Sequence, residues 1–360
     1  MKLRPLKWLV VLLFAGMALT GTVYYLQQSG SPGLPVATTV LSPRLLASPF
    51  QLRTLTLGGQ GEVYGARGRT LFRIIKNGSK ASEVYQFEDS IRSIHEREDG
   101  LLIVATDNNH WDPEQPCTVY RSVDSGRTFK QVKQIKGGSL LWWSIDSDRD
   151  GRIYLAEYGP QRRGMSKTLW RSDDDGERWR AIYRAPDQDK VHLHRIAVDP
   201  FTDDLWLTVG DGKQRRMLRS QDHGENWEQV ERLQSTAVAF TEAAIYWGRD
   251  KKGWPGILRY DRATKTFEKW FDPSREGNFG GSIYDMLIAP SGEMIVPFMK
   301  YPDEPHVASV WQGSEEGDWE LLMMPESESG QGSGFESVAG PDSYGWIYMP
   351  GYQMNVAAGR

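Results

Sequence analysis

Ser122-Val123-Asp124-Ser125-Gly126-Arg127-Thr128-Phe129 returns twice along the chain. The later copies are Ser172-Asp173-Asp174-Asp175-Gly176-Glu177-Arg178-Trp179 and Ser220-Gln221-Asp222-His223-Gly224-Glu225-Asn226-Trp227. The shared pattern is Ser-x-Asp-x-Gly-x-x-aromatic, and the copies start 50 and then 48 residues apart. A near-constant period of this size marks a propeller or solenoid. The residue types describe a turn. The Asp side chain bonds backbone N–H groups ahead of it, and Gly tolerates positive φ. The aromatic ring is large enough to anchor the turn in a core. The motif specifies a stapled β-turn and leaves the reaction open.

Each copy sits inside a larger unit. Leu71-Phe72-Arg73, Val119-Tyr120-Arg121, Leu169-Trp170-Arg171, Met217-Leu218-Arg219 and Ile257-Leu258-Arg259 read as third strands, with arginines 48, 50, 48 and 40 residues apart. Val310-Trp311-Gln312 reads as a sixth. Second strands are expected at 101–105, 153–156, 204–208, 244–247 and 294–297. A last unit, Gly334–Arg360, shows two strands and little more. Closure by an N-terminal strand within Thr38–Leu57 would complete it and leave no open sheet edge. The expectation is an all-β propeller of seven blades, with six as the alternative.

The three turns resemble the Asp-box (BNR) repeats of sialidase-like β-propellers, whose members include glycosidases, sortilin-type receptors and non-enzymatic assembly factors. Asp and Gly are kept in all three copies, at Asp124, Asp174 and Asp222 and at Gly126, Gly176 and Gly224, after Ser122, Ser172 and Ser220. The usual Thr-Trp ending is replaced by Thr-Phe, Arg-Trp and Asn-Trp. The resemblance implies a binding site at the end of the channel opposite these turns. It does not imply one chemistry, because one fold hosts many. Phe72-Arg73-Ile74 looks like the sialidase signature that carries a substrate-binding arginine. Arg73, however, occupies the position shared by Arg121, Arg171, Arg219 and Arg259, which favours a structural role.

A formal net charge of −4 argues against a nucleic-acid partner. The single cysteine, Cys117, excludes an intrachain disulfide framework. Residues 1–26 read as a signal anchor or signal peptide: Lys2, Arg4 and Lys7 precede an uncharged run of 19 residues, Trp8 to Leu26. That length matches the roughly 20 residues of a membrane span, and the basic flank should stay in the cytoplasm. An uncleaved anchor with the rest outside is favoured, with secretion after cleavage as the alternative. Residues 27–49, rich in Pro, Gly and Ser, read as a tether, and 50–360 as the propeller domain.

Asp146-Ser147-Asp148-Arg149-Asp150-Gly151 with Glu157 fits a calcium-loop pattern. The repeat places it at a hairpin turn, and a strand over 152–157 would carry Glu157 away at about 3.3 Å per residue. Calcium on the three aspartates alone stays open beside a plain acidic turn.

The loops after the second strands, and the segments leading into the first, are rich in ionisable and aromatic residues, which is where a rigid scaffold usually carries function. Val191-His192-Leu193-His194-Arg195 stands out, because histidines two apart on a strand face the same way. They are either packed histidines, a general base, or metal ligands with Asp211 or Glu157. His192, His194, Arg195, Glu157, Asp211 and Asp107 are the candidate catalytic residues. Tyr158, Arg249, Tyr284, Trp143 and Tyr301 are the candidate ligand contacts. Two readings follow: an extracytoplasmic glycoside hydrolase or polysaccharide lyase, or a non-catalytic surface propeller for a glycan or protein partner.

Overall fold

The computed structural model describes residues 45–75, 78–108, 112, 114–159, 167–187, 189–250, 254, 256–300, 305–324 and 334–355. Its strands form seven sheets among these residues, each a blade. Blade 1 runs from Arg53–Leu57 to Lys80–Gln86, blade 2 from Ile91–Glu96 to Lys130–Ile135, and blade 3 from Ile145–Ser147 to Arg180–Arg184. Blade 4 comprises His192–Val198, Leu205–Gly210, Arg216–Ser220 and Glu228–Glu231; blade 5 comprises Ser235–Phe240, Ala244–Arg249, Ile257–Asp261 and Thr266–Phe271. Blade 6 runs from Leu287–Ile288 to Trp319–Met323. Within blades 1–6 the strands pair antiparallel in chain order, and the first strands of successive blades lie side by side around the channel.

The expected third strands all fall on third strands. Closure is as the incomplete last unit requires. Trp346–Met349 pairs with Tyr352–Asn355, whose outer edge takes Leu45–Ala47 from the other end of the chain. Ala339 bridges Tyr348 on the inner side. Leu45–Ala47 lies within the Thr38–Leu57 stretch expected to supply the closing strand. The anchor and the rest of the tether lie outside the described residues. No helix among the described residues is long and apolar enough to cross a membrane.

Second strands are buried on both faces because each blade is sandwiched by its neighbours. Leu102–Thr106, Leu205–Gly210 and Met294–Phe298 are buried throughout, which explains their continuous apolar runs. Cys117 is also fully buried, and burial pushes its thiol up to about 12, so it is no nucleophile.

The repeated turns share one bonding scheme. Ser122 Oγ donates to Asp124 Oδ1 (2.7 Å) and accepts from Gly126 N (2.9 Å), while Asp124 Oδ1 accepts from Thr128 N (2.9 Å). Ser172, Asp174 and Gly176, and Ser220, Asp222 and Gly224, repeat it. Gly224 has φ +92°, and a Cβ there would lie 2.4 Å from Ile182 Cδ1 of the preceding blade, so glycine meets both a conformational and a packing demand. The closing aromatics also reach back one blade: Phe129 packs on Tyr85 and Phe87, and Trp227 on Tyr183. Two of the third-strand arginines tie blades together as well. Arg121 pairs with Glu177, and Arg171 with Glu225, both on the next blade. Arg73 pairs with Glu62, as a structural residue would.

These turns carry a pH signature. Backbone and side-chain donors of Thr128 hold the Asp124 carboxyl down to about 2, and the Asn226 side chain and backbone do the same for Asp222. Unfolded aspartate titrates at about 3.9. A carboxyl lowered on folding contributes stability above its unfolded pKa and loses that contribution as the pH falls through the folded value. The Asp124→Asn/Asp222→Asn variant should therefore show a flatter fall of Tm between pH about 4 and about 2 than the natural chain. Parallel acid limbs would show that these carboxylates do not govern acid stability.

Candidate functional site

The first residue after the second strand is acidic in four successive blades: Asp107, Glu157, Asp211 and Asp250. The four do different things. Asp107 is buried, accepts from Arg92 Nε (2.9 Å) and bonds the Ser139 hydroxyl. Glu157 is buried, accepting from Thr168 N (3.0 Å) and Trp170 Nε1 (2.8 Å). Asp107 ties the first strand of its blade to the Ser139 segment, Glu157 braces the third strand of its own blade, and neither carboxylate meets the histidines. Asp211 and Asp250 do meet them.

His192 and His194 open the first strand of blade 4, and both side chains are buried. Their Nε2 atoms lie 2.9 Å apart. Asp211 Oδ2 is 3.5 Å from His192 Nε2, and its Oδ1 is 3.4 Å from His194 Nε2. Asp250 Oδ2 stands 3.7 Å from Nδ1 on the far edge of His194. His192 Nδ1 lies 2.9 Å from Gly159 O. A carbonyl only accepts, so Nδ1 of His192 carries the hydrogen and its Nε2 offers a lone pair. The Gln234 amide donates to Asp211 Oδ1 (2.5 Å) and also bonds Asp250. Burial holds the Asp250 carboxyl above its usual range, against the opposing pull of His194. Close packing leaves the imidazole little freedom: a Cβ on Gly210 would sit 2.5 Å from His194 Cε1.

One side of this cluster is aromatic. The Tyr158 ring is 4.2 Å from that of His192, Trp143 lies 5.6 Å from Tyr158 and 5.4 Å from Tyr284, and Trp142 packs on both Trp143 and Tyr284. Trp142, Tyr158 and Tyr284 are half-buried and Trp143 is buried. A partly exposed aromatic wall beside a few convergent polar groups is the usual make-up of a small-molecule site.

Arg195, expected beside the histidines, is a strut instead. Its guanidinium donates to Thr236 O (2.9 Å) of blade 5 and to Asp285 Oδ1 (3.3 Å) at the start of blade 6. The other Asp285 oxygen accepts from Val338 N (3.2 Å), ahead of blade 7. Arg249 lies over the Trp254 ring at 5.8 Å. Tyr301 lies outside the described residues. Arg195 also lines a cavity of about 830 Å³ at the opposite channel end, among Arg97, Asp99, Asp146 and Arg149. Its groups are paired with one another: Arg97 with Asp99 and Asp175, and Arg149 with Asp203. Convergent chemistry distinguishes the histidine end.

Of the calcium-like aspartates, Asp148 and Asp150 share Arg152, and Asp146 turns elsewhere. Asp146 accepts from Ser147 N and Val198 N, and burial pushes its carboxyl up to about 6. Asp148 accepts from Arg152 and Tyr154, and Asp150 from Arg152. Among the described residues, the group of three able to surround one ion is His192, His194 and Asp211. Asp250 and Gln234 escaped sequence reasoning. The acid recurring after the second strand of four successive blades was the signal for Asp250; Gln234 left none.

Against known proteins, the chain matches the family model described as sortilin, neurotensin receptor 3, over residues 117–253, from the third strand of blade 2 into blade 5. No curated protein matches it. Among solved structures it is similar to the GH74 xyloglucanase of Xanthomonas campestris, at 13% identity and TM-score 0.63 over 86% of this chain and 52% of that one. It is similar to the GH74 enzyme of Niastella koreensis, at 13% identity and TM-score 0.59 over 78% and 47%. A chain of the mitotic checkpoint complex gives 13% identity and TM-score 0.55 over 93% and 98%. The protein spans about half the length of the two GH74 chains. At this identity the likeness speaks for the fold, and the fold is a seven-bladed β-propeller.

Proposed function

We propose that this propeller acts on carbohydrate at the histidine end of its channel. The carrying observation is the convergence of His192, His194, Asp211 and Asp250 beside the Trp142, Trp143, Tyr158 and Tyr284 wall. Flat aromatic faces suit the C–H face of a sugar ring, and the polar cluster suits its hydroxyls. Imidazole can serve as general base, or as ligand to an ion whose bound water takes that role. Asp250, held toward its protonated form by burial, suits the donor that a departing glycosidic oxygen needs. Glycoside hydrolysis and elimination from a uronate both use such a base and acid; hydrolysis adds water to the product, whereas elimination leaves a double bond. The likeness to GH74 enzymes supports the carbohydrate reading at the level of fold. The Ser-x-Asp-x-Gly turns support a place among Asp-box propellers, and the N-terminal run supports membrane anchorage with the propeller outside the cytoplasm. The sortilin likeness favours a second reading, a cell-surface binding propeller without turnover.

The test is incubation of the full chain with neutral and acidic polysaccharides, followed by mass spectrometry of the products. Fragments with added water are expected for a hydrolase and unsaturated fragments for a lyase. Intact polymers throughout, with oligosaccharide or protein binding retained, would establish the second reading.

A further inference from the structure

We infer that His192, His194 and Asp211 form a binding site for one divalent transition-metal ion of the zinc class. The inference concerns residues of the proposed carbohydrate site but stands on ligand geometry alone. One ligand atom from each residue lies within 4.8 Å of the others: the two Nε2 atoms are 2.9 Å apart, His194 Nε2 is 3.4 Å from Asp211 Oδ1, and His192 Nε2 is 3.5 Å from Asp211 Oδ2. Zinc sits about 2.0–2.1 Å from imidazole nitrogen and about 2.0–2.2 Å from carboxylate oxygen. Such bonds place neighbouring ligand atoms about 2.9 Å apart at a right angle and about 3.4 Å apart at the tetrahedral angle. The 2.9 and 3.4 Å separations lie in that range and the 3.5 Å one just beyond it, so an ion requires a turn of the Asp211 carboxylate to present one oxygen beside both nitrogens. Two imidazoles and one carboxylate suit zinc, iron, cobalt or nickel over calcium or magnesium, which prefer oxygen ligands.

The outer groups also fit. A metal-bound histidine usually gives its other N–H to a carbonyl or carboxylate. His192 does so with Gly159 O. His194 can bind through Nε2 once its hydrogen resides on Nδ1, which faces Asp250 Oδ2 at 3.7 Å and otherwise lacks a hydrogen-bond partner. The Gln234 amide steadies the third ligand. The histidines are almost fully buried while the Asp211 side chain is 38% exposed, so the cluster is open on the Asp211 side. Three protein ligands is the count of catalytic zinc sites, where the ion makes bound water acidic enough to act near neutrality.

The full chain is stripped with EDTA and titrated with zinc by calorimetry, and with cobalt(II) by visible absorption. One equivalent is expected to bind with submicromolar Kd, with intense cobalt bands. His192→Ala and Asp211→Asn should abolish the bands, Asp250→Asn should weaken binding by about 10–100-fold, and His223→Ala, on a distant turn, should bind normally. Zinc should also raise the Tm of the natural chain, a readout that does not depend on any variant folding. Absence of saturable binding to the natural chain, or binding that survives loss of both histidines, overturns the inference. Stoichiometric zinc without cleavage of any carbohydrate leaves the metal site standing and counts against the carbohydrate reading. Cleavage by a chain that binds no zinc does the reverse.

Discussion

His194→Ala should lower kcat on any carbohydrate the protein cleaves by about 10²–10⁴-fold, the usual worth of a positioned acid–base group. His194 is the hub of the site. One ring nitrogen faces His192 and Asp211, and the other faces Asp250. Its removal uncouples the two carboxylates and deprives His192 of its 2.9 Å neighbour. KM should move much less, because the aromatic wall is untouched. Tyr284→Ala should give the opposite split, a raised KM with kcat largely kept. Steady-state kinetics on both variants check the pair. Natural turnover in His194→Ala would remove the cluster from the chemistry.

The largest stability effect is expected from Asp285→Ala. Asp285 joins three blades: it accepts from Arg195 of blade 4, which also holds Thr236 O of blade 5, and its second oxygen takes Val338 N ahead of blade 7. Both side chains are mostly buried, at 19% and 12% exposure. Burial raises the Asp285 carboxyl and Arg195 opposes that rise. Removing one partner of such a pair strands the other charge and costs roughly 3–5 kcal/mol. Urea unfolding should show that loss. The Arg195→Met/Asp285→Leu double variant should recover part of it, since apolar replacement of both partners is often tolerated. A single variant within about 0.5 kcal/mol of the natural chain would mean that Arg195 is not a strut.

The fold was legible because its instructions are local and repeated. A Ser-x-Asp-x-Gly turn writes its own hydrogen bonds over eight residues, and the arginine that ends the third strand recurs at the same register. Even closure by Leu45–Ala47 could be anticipated, since the last blade lacks an outer strand. The site was legible only in part. The histidines two apart and Asp211 were visible because strand geometry turns alternate side chains to one face. Asp107 and Glu157 hold the same register position as Asp211 and Asp250, yet they turn to Arg92, Ser139 and Trp170. That choice depends on donors brought up by neighbouring segments, which spacing along one strand does not encode. The partners of Arg195 were hidden for the same reason: they stand 41 and 90 residues away. The calcium-like aspartates matched a pattern whose spacing presumes a loop wrapped around an ion. Here Asp146 is committed to the next blade and Asp148 to its own turn.

The most direct measurement of the central claim is hydrogen–deuterium exchange of the full chain with and without a bound oligosaccharide. Protection is expected at residues 139–143, 192–194, 210–211 and 282–285, around the histidines and the aromatic wall. Protection confined to residues 97–100, 148–151 and 199–203, at the opposite channel end, would contradict it.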